Sequence, residues 1–168
     1  FAMSFPEKRT FFLEGSELLK SDMQTVYTRS ITNPLGALKY INQGTSSSTY
    51  LMQATDTDSP YLAAGQYKSV RGNAGKSKVT IGRYKRNLGN KSHIGLIATN
   101  RDYHIGGSGS LIEFDSLINF LDDYILDLNY ARSDTQEGHI NFIDSDETFA
   151  GRTYAMDGES FSGTAKNF

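Results

Sequence analysis

The residues able to do chemistry are few in this chain, and their spacing fits no catalytic motif. His93, His104 and His139 have no metal-ligand spacing, and with no cysteine in the sequence there is neither a thiolate ligand nor a thiol nucleophile. A hydrolase with His93 or His104 as base lacks an identifiable serine: in GGSGS at residues 106–110, Ser110 stands where the last glycine of a nucleophile elbow belongs. GNAGKS at residues 72–77 ends like a phosphate loop, but Val70 occupies the place of the first glycine and the preceding residues are polar. Asp144, Asp146 and Glu147, with Glu137 nearby, are oxygen donors of the kind calcium takes. They lack the glycine and spacing of a calcium loop and read as a solvated acidic segment. The balance leans against an enzyme and predicts no cofactor and no metal.

Recognition chemistry is better represented. Tyr61, Tyr67, Tyr103, Phe142 and Tyr154, together with Asp144 and Asp146, fall in polar connecting segments. Aromatic faces stack on a sugar or an incoming peptide, and carboxylates accept hydrogen bonds, so these seven are the candidate ligand contacts. The competing role for each aromatic is to fold its own loop over what lies beneath.

The elements that must hold these segments are strands. Residues 78–132 contain four in a row, and two of them alternate strictly. Ile112, Phe114, Ile118 and Phe120 share one face with Ser110 and Ser116, while Glu113, Asp115 and Asn119 share the other with Leu111 and Leu117. Tyr124, Leu126, Leu128 and Tyr130 likewise oppose Ile125, Asp127, Asn129 and Ala131. Earlier, residues 35–43 and 47–57 read as a hairpin, and a seventh strand begins at Ser160. One face apolar and the other polar suits a sheet between lipid, or a core, and water.

Composition narrows the setting. Only 38% of the residues are apolar, few for a conventional interior, yet ten Tyr and ten Phe are too many for a disordered chain. A net charge of −2 with scattered basic residues leaves no footprint for nucleic acid. No apolar run reaches the length of a spanning helix, a sign that a strand-built membrane protein would not show either. No signal peptide is seen at the start and the sequence stops within a strand pattern, so a piece of a longer or processed protein is expected.

Connection lengths alternate short and long. Residues 44–46, 89–91 and 122–123 are tight turns, and 56–76, 101–109 and 133–158 are long polar segments, the arrangement of an outer-membrane barrel. Tyr124 and Tyr130, about 20 Å apart along a strand, would mark its two aromatic girdles. One strand fits less well: if Val79 and Ile81 face lipid, so do Arg83 and Lys85, which would then lie near the periplasmic interface. Before the strands, Phe11, Phe12 and Leu13 form an apolar knot expected to be buried. Glu7, Lys8 and Arg9 beside it are either an ion-pairing cluster or a solvated edge, and residues 26–31 alternate as an extended segment.

FPEKRTFFLEG and VYTRSITNPLGALKY resemble segments of an uncharacterised bacterial family of large outer-membrane proteins, in which a family-9-like carbohydrate-binding domain precedes a C-terminal β-barrel. Glu7, Lys8, Arg9, Phe11, Phe12, Leu13, Glu14, Tyr27, Thr28, Arg29, Pro34, Gly36 and Ala37 carry the match, with Thr10 in place of a common proline and Leu38 ahead of Lys39. The similarity continues more loosely through RNLGNKSHIGLIATNRDY. It implies a bacterial outer-membrane location and a barrel, and brings no catalytic residues; the carbohydrate-binding domain is not in this sequence.

The expectation is therefore an all-β, antiparallel, up-and-down transmembrane β-barrel, partial at about seven strands. Residues 1–34 form a leader that plugs the lumen or packs at the periplasmic rim, and residues 35–168 form the strands and loops. Such a barrel closes only with further strands. Its partners would be outer-membrane lipid and a glycan or other outer-membrane proteins, with no nucleic acid. Its role would be non-enzymatic: passing or docking a substrate, such as a glycan or oligomeric nutrient, at the cell surface. The alternatives are a surface hydrolase anchored by the barrel and a soluble β-sheet binding module.

Overall fold

The computed structural model describes residues 6–64, 69–120, 124–141, 148–149, 152–153, 155–157 and 160–167. Strands β1 (Pro34–Gln43) and β2 (Ser47–Asp56) are followed by a small hairpin, β3 (Pro60–Ala64) and β4 (Ser69–Asn73). Then come β5 (Ser77–Gly89), β6 (Ser92–Tyr103), β7 (Ser108–Phe120) and β8 (Tyr124–Gln136). Short pieces β9 (His139–Asn141), β10 (Thr148–Phe149), β11 (Arg152–Thr153) and β12 (Ala155–Asp157) precede β13 (Ser160–Asn167).

The protein is all-β and antiparallel. The seven long strands form one sheet in the order β1-β2-β5-β6-β7-β8-β13, and all seven coincide with strands legible in the sequence. Among the described residues the sheet is open, with β1 and β13 as its edges. β3 with β4, β9 with β12 and β10 with β11 are separate two-stranded ladders. Among the described residues, the meander puts 57–64, 69–76, 104–107 and 137–141 at one end of the sheet and 44–46 and 90–91 at the other.

Register fixes which side chains share a face, because cross-strand partners point the same way. Tyr40, Leu51, Gly82, Ala98 and Ile112 lie in one such row, and Lys39, Met52, Ile81, Thr99 and Leu111 lie in the neighbouring row on the opposite face. Residues 6–33 lie across that second face. Phe12, Leu19 and Ile31 from this leader meet Tyr50, Met52, Ala54, Val79 and Ile81 in the core cluster, and each of the three leader side chains contributes about 1.5–3 kcal/mol by leaving water.

The leader is a chain of single turns: one helical turn at Thr10–Leu13 and 3-10 turns at Ser16–Leu19 and Thr28–Ser30. Gly15 joins the first two at φ +74°, and a Cβ there would fall 2.4 Å from Ile41 Cδ1, so glycine meets both the conformation and the close approach to β1. The two motif segments grip each other. Arg9 donates to Glu7 at 2.8 and 2.9 Å and to the Ile31 carbonyl at 2.6 Å, Thr28 donates to Glu7 at 2.9 Å, and Arg29 donates to the Pro6 carbonyl at 2.9 Å. The ion-pairing reading of Glu7 and Arg9 thus holds, while Lys8 is exposed. The Arg9 guanidinium, with help from the Thr28 hydroxyl, holds the Glu7 carboxyl down to about 2.

Four expectations are corrected. Phe12 is buried, but Phe11 and Leu13 are 37% and 44% exposed, because a helical turn sends the three residues in different directions. Residues 28–30 form a turn instead of continuing an extended segment. Val79, Ile81 and Arg83 are all buried on the leader side, since in register they face Ala54, Met52 and Tyr50. The middle long connection shrinks to residues 104–107, because Arg101 and Asp102 go on pairing with Gly109 and Ser108 and Gly106 and Gly107 turn the chain at φ +94° and +91°.

Candidate functional site: a polar face under the leader and an apolar face outside

Where the leader's core cluster ends, the covered face of the sheet becomes charged. Arg83 on β5 and Asp115 on β7 form a bidentate ion pair with side chains 2% and 8% exposed, although β6 runs between their strands. They meet above Gly95. A Cβ there would stand 2.5 and 2.6 Å from the two terminal guanidinium nitrogens and 2.6 Å from Asp115 Oδ1. Two charges removed from water need both their attraction and their hydrogen bonds intact, so the missing side chain at position 95 is a condition of the pair. His93 Nε2 lies 3.4 Å from the other Asp115 oxygen.

Two residues from Asp115, Glu113 is fully buried and accepts a hydrogen bond from the leader's Thr25 hydroxyl. Asn129 donates to Asp127 at 2.8 Å and to the leader's Asp22 at 3.4 Å, and Arg101 donates to Ser30 at 3.0 Å. Residues 20–30 therefore rest on the sheet mainly through polar contacts. Arg83 Nε, Glu113 Oε1 and Ser21 Oγ are buried without a hydrogen-bond partner among the described residues. Charges are also sorted by strand: on this face Arg83, Lys85 and Arg101 lie on β5 and β6, while Glu113, Asp115 and Asp127 lie on β7 and β8. A cavity of about 240 Å3 opens at the boundary, roofed by residues 20–22.

Among the described residues nothing covers the opposite face, which is apolar. Leu38, Tyr40, Leu51, Tyr84, Leu96, Ile112, Phe114, Leu126 and Tyr130 are all large, hydrophobic and at least 40% exposed. A soluble two-layer domain would bury such a face and leave the charged one in water. The apolar residues form a band that crosses the register at an angle. Lys39, midway between Leu38 and Tyr40, leads through Met52, Ile81, Thr99 and Leu111 to Ser133, whereas the apolar stretch of β8 centres on Leu128, five residues away. That drift, accumulated over five strand-to-strand steps, is about one residue per strand. With strands near 4.8 Å apart and a rise near 3.3 Å per residue it corresponds to a tilt of about 35°.

At the end of the sheet bearing the long connections, two of the candidate ligand residues come together. The rings of Tyr61 on β3 and Tyr103 on β6 meet edge to face at 5.8 Å, and the Tyr61 hydroxyl donates to Glu137 at 3.1 Å. Burial, reinforced by the Glu137 carboxylate, pushes the Tyr61 hydroxyl above its ordinary range. Tyr67, Phe142, Asp144, Asp146 and Tyr154 lie outside the described residues, as does the calcium reading of 144–147. Among the described residues no group of three or more metal-ligating side chains is placed to hold an ion.

No family model, characterised protein or solved structure matches the chain. The reading of the site thus rests on its own geometry. Sequence patterning did not single out Arg83, Gly95, Glu113 and Asp115 as a group, because their meeting depends on register across three strands. The signal available was the run of charges at alternate positions in strands otherwise rich in Ile, Val and Leu.

Proposed function

We propose that this sheet is a sector of a transmembrane β-barrel in a bacterial outer membrane. Its apolar band meets lipid, its charged face lines the lumen, and residues 6–33 serve as a plug against that lining. The role is non-enzymatic: the protein passes or docks a substrate at the cell surface, with a glycan or an oligomeric nutrient as the class to test. Tyr61 and Tyr103 offer aromatic surface beside the longer connections, which in such a barrel lie on the cell exterior while the tight turns face the periplasm. The observation that carries this reading is the uncovered apolar band, which runs about 35° off the perpendicular to the strands and so corresponds to the strand tilt that closed barrels adopt.

The first test is insertion. The chain is expected to need detergent or lipid for solubility, and after folding into vesicles it should protect β5 to β8 from protease. A chain that stays monomeric and folded in buffer alone would favour the soluble binding module. Orientation follows from single cysteines in a sequence that has none: with His104→Cys, whole cells should react with an impermeant thiol reagent, and with Asn90→Cys they should not. Both positions are exposed at opposite ends of the sheet. The reverse labelling would invert the topology.

A further inference from the structure

We infer that the cavity between the leader and the sheet is a binding site for a small zwitterion, of the class of an amino acid or short peptide. Lys20 and Asp22 come to it from the leader, Lys85 from β5, His93 from β6 and Asp127 from β8. Among the described residues none of Lys20, Asp22, Lys85 and Asp127 forms an ion pair with another of them. Two cations and two anions thus face one space without neutralising each other. Asp115, the other carboxylate of the wall, is already held by Arg83.

The arrangement is complementary to a ligand that carries both signs. A simple anion would meet Asp22 and Asp127, and a simple cation would meet Lys20 and Lys85, so each is attracted and repelled about equally. A zwitterion can lie along the step in potential, its carboxylate toward Lys85 and His93 and its ammonium toward Asp127 and Asp22. A volume of about 240 Å3 admits an amino acid or a dipeptide. The site depends on contact between leader and sheet and not on what the outer face meets, so its failure would leave the barrel reading standing.

The deciding experiment is isothermal titration calorimetry of the full chain, folded in detergent micelles, with L-alanyl-L-alanine. N-acetyl-L-alanyl-L-alanine, L-alanyl-L-alaninamide and maltose serve as comparison ligands. The dipeptide should bind, and each capped form should bind about tenfold more weakly, the size expected for a lost charge-assisted hydrogen bond. Asp127→Asn should erase the penalty for acetylation and keep the penalty for amidation. Lys85→Gln should do the reverse. The proposal falls if the dipeptide gives no heat at millimolar concentration, if the capped forms bind as well as the free one, or if maltose binds as tightly. The analogue series on the unaltered protein decides the matter even where a variant fails to fold.

Discussion

Replacing Gly95 by alanine tests the ion pair that crosses β6. The new methyl group would stand about 2.5 Å from three charged atoms, against an ordinary contact of 3.4 Å or more, so Arg83 and Asp115 must each retreat by part of an ångström. Both charges stay buried, and the bidentate geometry is lost. A hydrogen bond between charged groups is worth about 1.5–3 kcal/mol, and the lower chain entropy of an unfolded alanine returns about 0.4–1 kcal/mol. The expected loss is therefore about 1.5 kcal/mol in urea titrations followed by far-ultraviolet circular dichroism in detergent micelles. Gly82→Ala is the control, since its Cβ would only touch Leu51 at 3.5 Å, and it should be neutral or slightly stabilising. In a background carrying Arg83→Met and Asp115→Leu, where no pair is left to split, the cost of Gly95→Ala should shrink below about 0.5 kcal/mol. Equal costs in both backgrounds, or a Gly95→Ala protein as stable as Gly82→Ala, would refute the argument that the pair needs an empty position 95.

Three further outcomes are expected. Leu126→Arg on the uncovered face should cost about 2–4 kcal/mol in lipid if that position lies near the midplane, and Asp127→Arg on the opposite face less than half as much; unfolding titrations giving the reverse order would exchange the two faces. Glu7, held at about 2 against an ordinary 4.5, contributes stability that is fully present above pH 4.5 and is lost as the pH falls through about 2. A shift of that size corresponds to about 3.4 kcal/mol, which solvent screening at a partly exposed pair reduces to about 1 kcal/mol; Glu7→Gln should remove this pH dependence, and unfolding midpoints that still diverge between pH 4.5 and 2 would assign it elsewhere. Lys91 follows Asn90 in a two-residue turn with φ +56° and +46°, so Lys91→Gly should stabilise the protein by about 0.5 kcal/mol, and a loss in the same titration would argue against left-handed strain there.

The seven strands were legible because alternation is a local property, and the split between Ile112, Phe114, Leu126 and Leu128 on one face and Glu113, Asp115, Asp127 and Asn129 on the other follows from it directly. Which side is polar was legible for β7 and β8, but not whether the leader lies on that side or at the rim. The polar side was not legible for β5, where Val79 and Ile81 share a side with Arg83 and Lys85 and only pairing with β2 settles the direction. The leader's knot was visible as three apolar residues, but the helical turn that buries Phe12 and exposes its neighbours was not, and the leader around it is tied by contacts such as Arg9 to Ile31, between residues 22 apart. Tyr61 and Tyr103 were chosen for their chemistry. Their contact came from the extension of β6 past Asn100 and from the β3–β4 hairpin, neither of which has a strong pattern of its own.

An odd number of antiparallel strands has a geometric result at its edges. β1 and β13 are separated by five strands, so they run in the same direction. Joining one to the other, whether within one molecule or around a ring of identical molecules sharing an axis along the strands, would make a parallel seam at every junction. A two-fold axis across the strands would restore antiparallel pairing, β13 to β13, but would turn one copy upside down and send its long connections to the opposite side. Any wall that contains this sheet, is antiparallel throughout and keeps one orientation must therefore place an odd number of other strands between β13 and β1.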